Sequence, residues 1–118
     1  MPDLTIRASR VSVDTEDGLR HIGFAEGDED EPYALFSQAT GGGPVRLELN
    51  DPLFTAEDAI ASLSRDGDAL VLRILPAHAP DLGFAQTVLI RPAAGPVAPD
   101  GADWETALAA LARMHPFV

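Results

Sequence analysis

A chain of 118 residues fits one domain, 1–118, and buries about two-thirds of its unfolded surface, so it needs no metal or disulfide staple. Nineteen acidic residues face eight basic ones, all arginine, and the resulting net charge of −11 repels phosphate backbones and argues against direct nucleic-acid binding. Cysteine is absent, which excludes disulfides and thiolate metal sites and fits a reducing compartment. Met1-Pro2-Asp3-Leu4 opens without the basic region and apolar run of a signal peptide, and no apolar stretch nears the ~20 residues of a membrane helix. A cytoplasmic protein is expected.

Taken in chain order, Leu4, Ile6 and Ala8 alternate with polar residues, and Val11 and Val13 continue one step out of phase. That pattern predicts a strand from 3 to 13 with a bulge at Ser9-Arg10. After the polar turn 14–18, Leu19 to Phe24 predicts a second strand pairing back as a hairpin. Glu26-Gly27-Asp28-Glu29-Asp30-Glu31-Pro32 is too acidic for a packed element and reads as an exposed loop. Tyr33 to Gln38 follows as a strand. Gly41-Gly42-Gly43-Pro44 then turns into a further strand, with Val45, Leu47 and Leu49 inward and Arg46, Glu48 and Asn50 outward.

Asp51-Pro52 breaks that strand, and 53–57 reads as a loop. Segments 58–65 and 69–75 predict a hairpin about Asp66-Gly67, a pair suited to a type I′ turn. Thr55 to Ile60 also resembles a helix-capping sequence, so a short helix over 56–62 competes with the strand. Residues 76–83 read as a loop, 84–91 as a strand, and the proline-rich 92–99 as an irregular crossover. Asp100 or Asp103 then caps a helix reaching His115, with Trp104, Ala107, Leu108, Leu111 and Ala112 forming one apolar stripe. The expected fold is α+β: a mostly antiparallel sheet of about six or seven strands with one C-terminal amphipathic helix packed on it.

No catalytic constellation emerges. His21, His78 and His115 lack a metal-ligand spacing, and Ser37, Ser62 and Ser64 fall in strands, not at a strained nucleophile turn. Gly41-Gly42-Gly43 lacks the lysine and hydroxyl residue of a phosphate loop. Arg46 and Glu48 suggest a surface ion pair of small value. No cofactor or metal is expected. The loop of Glu26, Asp28, Glu29, Asp30 and Glu31 has three readings: a solvated segment, a surface that docks on a basic partner, or, least favoured, a divalent-cation site. It lacks the spaced ligands of a calcium loop.

The middle of the chain resembles immunity protein family ten of bacterial polymorphic toxin systems. The likeness lies in Gly23-Phe24-Ala25 running into the acidic segment, in Tyr33-Ala34-Leu35-Phe36-Ser37-Gln38, and in Arg46-Leu47-Glu48-Leu49-Asn50-Asp51. Ile60, Leu63-Ser64-Arg65-Asp66 and Leu70-Val71-Leu72-Arg73-Ile74 continue it, and the terminal helix is shared. After its Asp pair the family tends to carry glutamine and a small or aromatic loop, where this chain has Pro52-Leu53-Phe54-Thr55. The resemblance implies a non-enzymatic protein that binds a cognate toxin, whose active-site cleft is basic, and neutralises it stoichiometrically. Expected partner-binding residues are the five loop acids with Asp51, and Leu53 and Phe54 as apolar anchors, unless those two pack in the core. The alternative is a non-enzymatic adaptor or homo-oligomer that pairs through an exposed edge strand at 84–91.

Overall fold

The computed structural model describes residues 3–26, 32–93 and 103–118. Among them are nine strands, a short 3-10 helix (Pro76–Leu82) and one α-helix, an α+β architecture. The strands are β1 (Leu4–Ala8), β2 (Arg10–Glu16), β3 (Leu19–Ala25), β4 (Tyr33–Ala39) and β5 (Arg46–Leu49), then β6 (Thr55–Glu57), β7 (Ile60–Asp66), β8 (Ala69–Ile74) and β9 (Thr87–Pro92). They form two sheets rather than one, ordered β1-β9-β8-β7 and β2-β3-β4-β5-β6. Every pairing is antiparallel except β1 with β9, which is parallel.

The two sheets are joined where a strand bends from one into the other. The phase slip after Ala8 is such a bend, not a bulge within one strand. Ser9 separates β1 from β2, and its amide donates to the carbonyl of Ala25. A second bend follows β6, where Asp58 adopts φ 55° before β7 begins. Segment 53–57 is therefore not all loop, since Thr55–Glu57 adds an edge strand to the five-stranded sheet, and residues 60–66 are strand rather than helix. Corners of this kind let two sheets face each other across one core.

Alternation fills that core. Ile6, Leu70, Leu72, Val88 and Ile90 point in from the first sheet, and Ile22, Phe24, Phe36, Leu47 and Leu49 from the second. Burial at about 25 cal/mol per Å² of apolar surface is what opposes the entropy of ordering these strands. Strand β9 lies in the interior of its sheet, flanked by β1 and β8, so the expected edge strand at 84–91 is a central one.

The turns follow backbone chemistry. Asp17-Gly18 joins β2 to β3 with φ of 53° and 78°, the two positive angles of a type I′ turn. In the β7–β8 hairpin Asp66 pairs with Ala69, so the central residues are Gly67-Asp68 instead of Asp66-Gly67. Of those, Gly67 alone has positive φ, at 64°, which fits type II′ better than type I′.

The helix α1 spans Trp104–Met114 and starts at Asp103, whose carboxylate accepts from the Thr106 amide at 3.2 Å. Ala107, Leu108, Leu111 and Met114 are buried, while Ala112 is half-buried. The helix packs on β2 and β3, where Trp104 meets Phe24 edge to face at 5.4 Å. It is tied to β7 by a bidentate Arg65–Glu105 pair at 2.9 Å, and the Val118 amide donates to the Leu63 carbonyl. It thus spans the free edges β2 and β7, one from each sheet. The sheet end where β5 turns into β6 is not part of these helix contacts among the described residues.

Candidate functional site

At that uncovered end three loops meet. The first is the acidic loop, whose base is held by the Glu26 amide donating to the Pro32 carbonyl and by the Ser9 hydroxyl donating to the Glu26 carbonyl. Asp28, Glu29, Asp30 and Glu31 lie outside the described residues.

The second loop is the tight β5–β6 connection. Asn50 sits at φ 64° and exchanges two hydrogen bonds with Tyr33, its amide donating to the Tyr33 carbonyl and its Oδ1 accepting from the Tyr33 amide. Asp51 accepts from the Leu53 amide at 2.8 Å, an Asx-type turn that commits one of its carboxylate oxygens to holding the loop. The Leu49 amide donates to the Phe54 carbonyl and closes the hairpin. This geometry leaves Leu53 86% and Phe54 40% exposed, so neither is core. Glu26 and Asp51 are brought to the same sheet end, with β4 between their strands.

The third loop was not nominated from sequence. Gly83 ends the 3-10 helix in the left-handed region at φ 69°, and Phe84 follows at φ 67° and 73% exposed. A left-handed glycine after a helical turn is ordinary, whereas a left-handed, exposed phenylalanine is strained. The Phe54 ring lies over Gly83, its carbons 3.5–3.9 Å from where a Gly83 side chain would begin. Nearby, Asp3 Oδ2 accepts from the Gln86 and Thr87 amides at 2.9 and 2.8 Å. The Thr87 and then the Gln86 hydrogen bond hold the Asp3 carboxyl below the usual carboxylate range, so it stays ionised. Residues 76–83 read as a loop in the sequence but form the 3-10 helix Pro76–Leu82 ended by Gly83, and the strain at Phe84 carries no sequence signature.

Charge is unevenly spread. Arg7, Arg73 and Arg91 are exposed on the outer face of the four-stranded sheet; Arg7 and Arg91 are paired in register at the far end of β1 and β9, whereas Arg73 lies across from Thr87, next to Asp3. The outer face of the five-stranded sheet carries a concavity of about 330 Å³, lined by residues including His21, Ser37, Arg46 and Glu57. Its polar groups satisfy one another in part, with His21 Nδ1 2.8 Å from Ser37 Oγ. Ser37 is an ordinary mid-strand residue of β4. Glu48 does not pair with Arg46; it accepts the Tyr33 hydroxyl at 2.5 Å. Burial, then that hydrogen bond, pushes the Tyr33 phenol above its usual range. Among the described residues no group of three or more His, Asp or Glu is placed to hold a metal ion, and no helix is long and apolar enough to cross a membrane.

The chain is thus an α+β protein of two facing sheets, with a helix packed on β2 and β3 and an apolar, acid-flanked end at the β5–β6 turn. Comparisons with known protein families, curated proteins and solved structures return no match to it.

Proposed function

We propose that this protein is a binding protein without catalytic activity, which docks a basic protein partner through its uncovered end. The observation that carries this reading is the trio Leu53, Phe54 and Phe84, large apolar side chains left in water at the end from which the acidic loop springs. Isolated exposed apolar residues need no explanation, but two exposed phenylalanines that line one notch with Asp3, next to an exposed Leu53, fit a docking patch. Desolvating charges offsets much of their attraction, so the apolar anchors supply affinity while the acids speed encounter and exclude wrong partners.

The resemblance stated above extends the reading: the partner is a cognate bacterial toxin domain with a basic cleft, and this protein is its cytoplasmic, stoichiometric inhibitor. A homo-oligomeric adaptor fits less well, since pairing two acidic ends opposes charge of one sign. Light scattering showing a stable dimer would favour the adaptor.

The test is a growth assay with the reading frame immediately upstream in the source genome, expressed with and without this protein. Toxicity relieved only by co-expression supports the reading, and a harmless neighbour or unrelieved toxicity removes it. With the partner in hand, reversing the charges of Asp28, Glu29, Asp30 and Glu31 is expected to weaken binding more than about tenfold by calorimetry. Unchanged affinity would take the loop out of the docking site.

A further inference from the structure

Between Phe54 and Phe84 lies a notch of about 170 Å³. Gly83, Leu49 and Asn50 line it together with Asp3, and no basic side chain is among its lining residues. The two phenylalanines make no ring-to-ring contact, so a gap stands between them; the aromatic pairs among the described residues are Phe24–Phe36 and Phe24–Trp104. Gly83 forms the floor of the gap beneath the Phe54 ring, and its φ of 69° is what a side-chain-bearing residue would find strained.

The chemistry of the notch selects its occupant. Aromatic faces carry negative charge density and attract cations. Asp3 uses Oδ2 to hold two amides, its own amide and the charge of the chain's N-terminus also favour its ionised form, and among the described residues no basic side chain pairs with it. A purely apolar group entering the notch would strip water from that carboxylate without compensation, and an anion would be repelled by it. A flat cation with apolar faces satisfies rings and carboxylate together, and guanidinium has that shape whereas ammonium is compact and strongly hydrated. Net charge of −11 favours the same sign of ligand.

We propose that this notch, given that the uncovered end docks a protein, receives an arginine side chain projecting from the partner, stacked between Phe54 and Phe84 with Asp3 as its counter-ion. Phe84 is then a specificity-determining residue, and its left-handed backbone is what holds the second ring out from the surface.

The probe is N-acetyl-arginine amide, titrated into the full-length, isotope-labelled protein and followed by amide chemical shifts. Saturable shifts are expected at Gly83, Phe84 and Ala85 and in the 50–54 loop. The citrulline analogue, equal in shape and uncharged, is expected to bind about tenfold more weakly or worse. Phe84→Leu, which keeps an apolar side chain but removes the aromatic face, is expected to lose a similar factor while its spectrum shows an intact fold. Shifts that do not saturate, that scatter over other acids, or that citrulline reproduces would overturn the inference. The probe needs no partner, so the two readings fail separately. Notch binding without relief of growth removes the toxin, and relief without notch binding removes the arginine.

Discussion

The molecule holds two sets of aromatic residues with opposite fates. Phe24 is fully buried, with Phe36 edge to face at 6.1 Å and 85° on one side and Trp104 at 5.4 Å and 71° on the other. Phe54 and Phe84 stand in water at the uncovered end. The difference is one of backbone setting. Phe24 and Phe36 occupy inward positions of regular strands, paired through Ile22 and Ala34 neighbours, so the pleat alone delivers them to the core. Phe54 closes a tight hairpin and Phe84 follows a left-handed glycine, so their direction is set by loop geometry that periodicity does not encode.

Substitutions can sharpen that contrast, and the largest effect belongs to the buried set. Phe24→Ala is expected to lose about 4 kcal/mol of stability in urea denaturation, because it deletes a ring from a packed core with little room to collapse. A loss below about 1 kcal/mol would mean that the core is not packed as described. On the helix that covers this set, Asp103→Ala should cost about 1 kcal/mol by removing the N-cap, read as a lower urea midpoint with an unchanged slope.

Tyr33→Phe comes next, at about 1 kcal/mol for a partly exposed hydrogen bond to a carboxylate. Its pH signature is more telling than its size. The phenol binds its proton more tightly in the folded state, so this contribution is fully present below the unfolded tyrosine value near 10 and is lost as pH rises toward the higher folded value. The variant should therefore show a flatter decline of stability at alkaline pH than the parent. An identical decline would show that the phenol is not bonded to Glu48.

The smallest effect carries the opposite sign. Phe84→Gly removes a left-handed strain of about 1–2 kcal/mol and adds about 0.5–1 kcal/mol of backbone entropy, so a gain on the order of 0.5 kcal/mol is expected. The same change should weaken partner binding. A residue whose removal stabilises the fold while harming recognition is kept for recognition, whereas one whose removal destabilises it, like Phe24, is kept for packing.

The same contrast explains what the sequence could disclose. Strands β3, β4, β5, β7 and β8 and the helix were legible because each carries its own period, as in Val45, Leu47 and Leu49 or in Ala107, Leu108 and Leu111. The Ser9 phase slip was visible too, yet only tertiary pairing turns it into a passage between sheets. Strand β6 is three residues, Thr55–Glu57, too short to show alternation, and β9 gives no sign of lying between β1 and β8. Of the candidate site, Leu53, Phe54, Asp51 and Glu26 were named and the structure gathers them at one end. Phe84 was read as the start of a strand, because a strained left-handed phenylalanine has no local pattern to announce it.

The uncovered end, not the helix-covered side, is the proposed meeting point with the partner. The most direct test is the affinity of the partner identified by the growth assay for a Leu53→Ser, Phe54→Ser, Phe84→Ser triple variant, with Arg65→Met at the helix-covered side as control. The triple variant is expected to stay folded and to lose at least about a hundredfold in affinity while the control binds like the parent. Parental affinity in the triple variant, or a loss confined to Arg65→Met, would contradict the proposal.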